Sequence, residues 1–213
     1  MFISWPKPLA KLIITVRNFK KTAYYYYGDR FSSYFRLIYY GLLRVNTFLV
    51  YENDLSMDLP DLDLDSDFKV IRLSSKELER IREGKDLPRE FYYDRIYNAK
   101  TCYVVFCGEE LAYIHWVFFK DDYSRFLVLT DGVAELNYNT TLPKFRGNEL
   151  MAKMMTYISR DLKESGYGKV MGVVHEFNPP AIKSMKKAGF REIARIKALG
   201  PFHRKVEVWA PKQ

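Results

Sequence analysis

Three side chains in the second half of the chain are of the types that move protons in enzymes: Glu135, Tyr138 and His175. Glu135 and Tyr138 belong to VAELNYNTTL and His175 ends KVMGVVH, and both segments have the composition of strands. We predict Glu135 or His175 as the general base and Tyr138 as an acid. The alternatives are a strand-edge carboxylate, a polar strand end and a tyrosine that only packs in the core.

The alternation of side chains along a strand predicts which of these groups share a face. Glu135 is expected on the same face as Asn137, Asn139 and Thr141, and Tyr138 on the opposite face.

A second candidate feature is the segment LPKFRGNELMAKMM, in which Arg146 and Gly147 precede an apolar-periodic run. The first amides of a helix lack intrahelical partners and attract anions, above all phosphates. Gly147 would let the backbone approach such an anion, and Arg146 would add charge. Taken alone, the pair is equally compatible with an ordinary turn.

Several other chemistries are excluded by the pattern. The histidines have no metal-ligand spacing, and we find no P-loop, serine nucleophile elbow or Cys/His dyad. Cys102 and Cys107 fall on opposite faces of a strand, which predicts two separate buried thiols. The acidic run LSMDLPDLDLDSD lacks the glycine and glutamate of a calcium loop and is interpreted as a solvated linker. No metal site is expected.

From Phe68 onward the predicted elements follow the order β-α-α-β-β-β-α-β-α-β-β, a mixed sheet flanked by helices. The longest helix is predicted at 147–165, where apolar side chains recur at four-residue spacing: Leu150, Met154, Ile158 and Leu162.

The charge of the chain is concentrated at its start. Residues 1–50 hold eight Lys or Arg and one acidic residue, a net charge of +7 out of +8 for all 213 residues. The nearly neutral remainder argues against a nucleic-acid-binding domain. RFSSYFRLIYYGLLRV predicts an amphipathic helix that lies on an anionic membrane or docks on the main domain or a second subunit. We expect a cytoplasmic protein, with peripheral contact at the inner membrane face.

The loop and helix, followed by GYGKVMGVV and NPPAIKSMKKAGF, resemble the core of the GNAT superfamily of acyl-CoA-dependent N-acyltransferases. The resemblance covers about residues 68–210. It implies an α+β fold with a mostly antiparallel central sheet flanked by helices. We divide the chain into a basic helical extension (1–52), an acidic linker (53–67) and an acyltransferase domain (68–213). The matching residues are Pro143, Arg146, Gly147, Asn178, Ala181, Gly189 and Phe190.

The resemblance also implies where acyl-CoA would bind. In that family the fourth strand, here 134–142, splays from the fifth and pairs with pantetheine, and the turn before the long helix grips pyrophosphate. Asn178 would line the pantetheine channel. The implied contacts are Tyr138, Asn139, Thr140, Thr141 and Leu142 for pantetheine, and Arg146, Gly147, Asn148, Glu149 and Leu150 for pyrophosphate.

The implied reaction is transfer of an acyl group, most simply acetyl, to an amine. The lead-in FLVYENDL resembles that of GNAT-like proteins of envelope polysaccharide synthesis, which suggests an amino sugar acceptor; a homodimer is a further expectation. The chain departs from the family pattern in having Glu149 and Met151 at glycine-class positions and Met185 where many members have a tyrosine acid. Two alternatives therefore stay open: a GNAT-like binding or membrane-scaffold module without activity, and an aminoacyl-tRNA-dependent transferase.

Overall fold

A computed structural model describes residues 32–39, 43–200 and 202–208. These residues form two units. The larger contains residues 48–196 and 205–208, and the smaller contains the described parts of 32–47 and 197–204. The predictions made for residues 1–31 lie outside the described part of the chain.

The first half of the chain contributes α1 (Ser32–Ile38), β1 (Val45–Asp54), β2 (Phe68–Ser74), α2 (Ser75–Arg82), a 3-10 turn (Arg89–Tyr92), α3 (Tyr93–Tyr97), β3 (Thr101–Cys107) and β4 (Glu110–Phe118). The second half contributes β5 (Leu127–Val128), β6 (Val133–Thr141), a 3-10 turn (Pro143–Phe145), α4 (Leu150–Glu164), β7 (Lys169–His175), α5 (Pro179–Lys187), β8 (Arg191–Leu199) and β9 (Val206–Glu207). The predicted order from Phe68 is confirmed, apart from the two-residue β5.

The central sheet has seven strands in the order β2-β3-β4-β6-β7-β1-β8. The pairs β2–β3, β3–β4, β4–β6 and β1–β7 are antiparallel, and β6–β7 is parallel. The predicted mostly antiparallel sheet is therefore confirmed. However, β1 lies between β7 and β8, so the domain boundary placed after residue 52 cuts a strand of the sheet and must move N-terminally.

One face of the sheet packs against α4 and α5. The predicted stripe of α4 is confirmed, because Leu150, Met154, Ile158 and Leu162 are all buried there. The helix begins at Leu150 rather than at residue 147, since Gly147 (φ 93°) and Glu149 (φ 55°) have left-handed backbone conformations that a helix cannot include.

The opposite face packs against α2, the 3-10 turn and α3. Ser74 caps α2 in a capping box with Glu77. The second predicted helix is divided into the turn and the short α3, where Trp116 Nε1 donates to the carbonyl of Glu90 at 2.6 Å. Arg82 holds the two parts together through its bond to the Phe91 carbonyl at 2.7 Å and its ion pair with Asp94 at 2.6 Å.

The acidic linker is largely exposed to solvent, as predicted, but it is anchored at several points. Leu55 is buried. Arg160 of α4 donates to Asp63 at 2.6 Å and to the carbonyl of Pro60 at 2.9 Å, and Lys153 pairs with Asp65 at 2.8 Å. The exposed aspartates of this segment therefore form surface ion pairs with basic residues of α4, which the sequence-based interpretation did not predict.

The smaller unit contains α1, in which Phe35 and Ile38 are exposed, as is Tyr39 directly after the helix. No helix in the described part of the chain is long and apolar enough to span a membrane. In the larger unit, Cys102 is buried and Cys107 half-buried, and both are free thiols as predicted.

Candidate active site

The sheet opens between β6 and β7. The two strands pair only from Val133–Lys169 to Leu136–Gly172. Beyond that point β6 stays with β4 through Thr141, whereas β7 stays with β1 through His175. The β6–β7 ladder therefore ends at Leu136 and Gly172, and the two strands diverge toward their carboxyl ends.

A β-bulge in β6 determines which side chains face this opening. Asn137 pairs with Trp116 and Thr140 with Ile114, so two residues of β6 oppose one residue of β4. Tyr138 has a φ of 55°. The extra residue shifts the alternation, so Thr140 shares the face of Glu135 and Asn137, and Thr141 lies on the opposite face. The predicted position of Thr141 is therefore wrong.

Glu135 is buried, with 1% of its surface exposed, on the face that packs against α2 and α3. Asn137 Nδ2 donates to its Oε1 at 2.9 Å. Burial raises the pKa of the Glu135 carboxyl, and hydrogen bonds from Ser124 and Asn137 and the charge of Lys205 oppose that rise. A carboxylate with a raised pKa is suited to accept a proton near neutral pH.

Strict alternation predicted that Tyr138 projects to the face opposite Glu135, and this prediction is wrong. Its ring lies on the same side, stacked on Tyr97 at 4.7 Å and tilted against Tyr93 at 4.6 Å, with Phe118 at 5.7 Å. The bulge causes this change of face. Burial raises the pKa of the Tyr138 phenol well above its ordinary value, with smaller contributions from Tyr97 and Glu135. The geometry favours the core alternative for this ring.

His175 lies on the side of the opening formed by β7. Its Nδ1 accepts a hydrogen bond from the backbone N–H of Phe177 at 3.1 Å, and its ring meets Phe48 edge-on at 5.1 Å. An Nδ1 that accepts must be unprotonated, so the neutral ring carries its proton on Nε2. His175 is thus arranged to donate from Nε2, which suits it poorly to the predicted role of base.

The segment between β6 and α4 forms an anion cradle. In the described part of the chain, no hydrogen-bond acceptor lies within reach of the backbone amides of residues 147–152. Asn148 instead uses its side chain, donating to the carbonyl of Phe145 at 3.1 Å. The side chain of Arg146 is exposed, with one long bond of 3.5 Å to the carbonyl of Thr141. Six unpaired amides beside an arginine are suited to a phosphate group.

The Glu149 carboxylate is not the only charged group beside that cradle. It forms an ion pair with Lys187 of α5. The hydrogen bond and charge of Lys187 lower the pKa of the Glu149 carboxyl, and Lys153 and Lys183 contribute further. The repulsion expected from a carboxylate at a glycine-class position is therefore offset by nearby cations.

Two residues of the predicted channel have other roles. Asn178 caps α5, its Oδ1 accepting from the amide of Ala181 at 3.3 Å. Met185 is buried against Gly172, so closely that a β-carbon built there would lie 2.4 Å from the methionine methyl. Gly172 forms the last β6–β7 pair, so Met185 supports the sheet at the point where the strands diverge.

The family assignment comes from a model of the acetyltransferase (GNAT) family, which matches residues 69–190, more than half of the chain. The chain belongs to the GNAT family. No curated protein sequence matches it. Among the described residues, no group of three or more His, Cys, Asp or Glu is placed to hold a metal ion.

Solved structures share the GNAT fold with this chain. An acetyltransferase of the GNAT family from Novosphingobium aromaticivorans DSM 12444 superposes with a TM-score of 0.52 at 17% identity, covering 73% of this chain and 64% of that one. A GNAT-family acetyltransferase from Colwellia psychrerythraea gives 0.50 at 17%, covering 71% and 54%. A GCN5-related N-acetyltransferase from Sphaerobacter thermophilus gives 0.51 at 12%, covering 83% and 58%. The chain thus spans 54–64% of these proteins' lengths, and the likeness shows the fold alone.

Several residues around the GNAT site were missed from sequence. Ser124 and Lys205 both lower the pKa of Glu135, and Lys205 donates to the carbonyl of Ser124 at 2.7 Å. Lys187 pairs with Glu149. None of the three has a local pattern that distinguishes it, because each acts on a residue distant in the chain. The role of Asn137 had a signal, since it lies two residues from Glu135 on a strand.

Proposed function

We propose that this protein transfers an acyl group, most simply acetyl, from acyl-CoA to an amine acceptor. The observation that carries the proposal is the opening between β6 and β7 beside the unpaired amides of residues 147–152. A strand edge can pair with the amides of pantetheine, and the cradle can hold a diphosphate. Family membership supports the same reading.

The cofactor would meet two parts of the chain. The edge of β6 from Asn139 to Thr141 would lie beside pantetheine, and the amides of 147–152 would face the diphosphate. Leu142, predicted to contact pantetheine, lies beyond β6, and its backbone N–H already donates to the carbonyl of Ala112 at 2.9 Å. Gly147, with a φ of 93°, adopts a conformation that favours glycine and leaves no side chain between backbone and ligand. Arg146 adds a positive charge at the same point. Together these groups fix where the thioester lies.

In the proposed reaction the acceptor nitrogen loses a proton, forms a bond to the acyl carbon, and displaces the thiolate from it. Glu135 is the group assigned to the proton. Its carboxylate is buried, so the proton reaches it through a bridging water rather than by contact. Met185 cannot donate a proton, so the proton held by Glu135 is the one returned to the thiolate. The Nε2–H of His175 is assigned to orienting the acceptor.

The first experiment is calorimetric titration of acetyl-CoA into the full-length protein, with Arg146→Glu as the test variant. Arg80→Glu is the matched control, since it makes the same charge change at an exposed position on α2. Binding to wild type and control that is lost in Arg146→Glu supports the proposal. Absence of binding to wild type overturns it and favours the binding module or the aminoacyl-tRNA-dependent transferase.

The acceptor class is a finer proposal. We infer that the acceptor is an amino sugar. The support is the resemblance of FLVYENDL, whose first seven residues lie in β1, to the lead-in of GNAT-like proteins of envelope polysaccharide synthesis. Release of CoA thiol in the presence of glucosamine, spermidine or a peptide amine tests it. A rate increase with the polyamine or peptide but not with glucosamine would contradict the sugar assignment.

We also propose that the basic N-terminal segment brings the enzyme to an anionic membrane from the cytoplasmic side. The +7 charge of residues 1–50 and the exposed Phe35, Ile38 and Tyr39 support this. Flotation of the full-length chain with anionic and with zwitterionic vesicles is the test. Equal flotation with both, or with neither, would contradict the proposal.

A further inference from the structure

Asn137 joins two parts of the site with the two ends of its side-chain amide. Nδ2 donates to Glu135 Oε1 at 2.9 Å, and Oδ1 accepts from the backbone N–H of Tyr138 at 2.8 Å. Tyr138 is the residue with φ 55° in the β6 bulge. Because one end of the amide only donates and the other only accepts, it cannot be reversed without losing both bonds.

We propose that Asn137 is a positioning residue that couples proton uptake by Glu135 to the backbone bulge at Tyr138. Its meaning for catalysis rests on the proposed function, in which Glu135 takes the acceptor proton and β6 beyond the bulge meets pantetheine. The coupling itself is a property of the described residues and does not depend on that function.

The strength of the Asn137–Glu135 hydrogen bond depends on the protonation state of Glu135. An N–H donates more strongly to an ionised carboxylate than to a neutral carboxylic acid. When Glu135 takes up a proton, this bond weakens and Asn137 loses one of its two anchors. The effect is local, because the strand neighbours that pair with Glu135 are the uncharged Phe118 and Met171.

The backbone conformation of the bulge at Tyr138 depends on the contacts around it. A non-glycine residue with a left-handed backbone is strained, and such a conformation persists only where surrounding contacts hold it. The bond from the Tyr138 N–H to Asn137 is one of those contacts, and the packing of the Tyr138 ring on Tyr93 and Tyr97 is another. A change in the Asn137 side chain therefore acts on the backbone at the start of the pantetheine edge.

Other polar and titratable groups also lie near Glu135, and their effects must be separated from the coupling through Asn137. Ser124 and the positive charge of Lys205 both lower the pKa of Glu135, and the Glu135 charge in turn raises the pKa of the Tyr138 phenol. None of these three side chains is bonded to the Tyr138 amide in the described structure. A titration seen at that amide through Asn137 is therefore distinguishable from a general change in charge.

The test is nuclear magnetic resonance of the full-length protein between about pH 4 and about pH 8. The Asn137 side-chain amide and the Tyr138 backbone amide are expected to titrate with one midpoint, equal to that of the Glu135 carboxyl carbon. Both are expected to stop titrating in Glu135→Gln, which keeps the shape and removes the charge. Amides that do not follow Glu135, or that titrate unchanged in Glu135→Gln, would overturn the proposal.

Two variants separate the two ends of the amide. Asn137→Asp keeps an acceptor for the Tyr138 N–H but places a second carboxyl beside Glu135, and should lower its acid dissociation constant by about tenfold or more. Asn137→Ala loses both bonds and should speed hydrogen exchange at the Tyr138 amide. Asn139→Asp is the matched control, because it adds the same charge without a bond to Glu135 and should shift the constant less.

Equal shifts from Asn137→Asp and Asn139→Asp, or an unchanged Tyr138 exchange rate in Asn137→Ala, would overturn the coupling. If the alanine variant does not fold, the titration of the wild-type protein still decides. None of these measurements needs acyl-CoA. Loss of the proposed function would therefore appear only in the acetyl-CoA titration, and failure of the coupling only in these spectra.

Discussion

Glu149 and Lys187 form an ion pair between the first residue before α4 and the last residue of α5. The pair places a cation beside the anion cradle and neutralises the carboxylate that stands at a glycine-class position. Both side chains are partly exposed, at 49% and 38%. The interaction is therefore weak in stability and matters for the charge that an incoming phosphate meets.

Replacing Glu149 by glutamine should tighten the binding of CoA. The substitution removes a negative charge near the phosphates and leaves Lys187 available to them. Glu149 is exposed and its charge is screened by solvent, so the effect should be modest, a dissociation constant about two- to fivefold lower. Calorimetry at low salt measures this, and an unchanged constant would mean that the phosphates lie elsewhere.

Replacing Lys187 by glutamine should have the opposite effect, a dissociation constant about two- to fivefold higher. The loss of one cation should also flatten the salt dependence of binding. Lys186→Gln is the matched control on the same helix, since Lys186 is not among the lysines whose charge acts on Glu149. If the pair only fastened α4 to α5, both Glu149→Gln and Lys187→Gln would shift the constant in the same direction.

The stability of the protein should rise in Glu135→Gln at neutral pH. The pKa of Glu135 is raised in the folded state, so its ionised form is less favourable there than in the unfolded chain. The cost is absent below the unfolded-state pKa, grows as pH rises through the folded-state pKa, and is complete above it. Thermal unfolding at about pH 7 should favour the variant, with a smaller difference at about pH 4.

A lower stability of Glu135→Gln at neutral pH would contradict the raised pKa. The same variant should lose acyl transfer, because glutamine cannot accept the acceptor proton. A variant that is at least as stable as wild type but inactive would separate the role of Glu135 in the reaction from any role in folding.

Gly172→Ala should destabilise the protein by about 1–3 kcal/mol, the usual cost of overpacking. The added methyl would lie 2.4 Å from the Met185 methyl, which must move. Met185→Ala opens that space, so the double variant should lose less than the sum of the two single losses. Denaturant unfolding of the four proteins measures the coupling, and simple additivity would place the Met185 side chain elsewhere.

Features that depend on residues close together in the chain could be predicted before the structure was known. The stripe from Leu150 to Leu162 follows from the helical repeat, and the Arg146–Gly147 turn from its position before that helix. The Arg146–Gly147 turn, together with the later NPPAIKSMKKAGF segment, carried the family resemblance and predicted the anion cradle.

The Glu149–Lys187 pair, the bulge at Tyr138 and the place of β1 in the sheet could not be predicted, because each depends on residues that are distant in the chain. Glu149 meets Lys187 across 38 positions. The bulge at Tyr138 exists only because two residues of β6 oppose one of β4, and it overrides the alternation that sequence reasoning assumed. The same holds for β1, which enters the sheet between β7 and β8. Periodicity specifies which face a side chain takes in a regular element, but packing between elements determines where that regularity is broken.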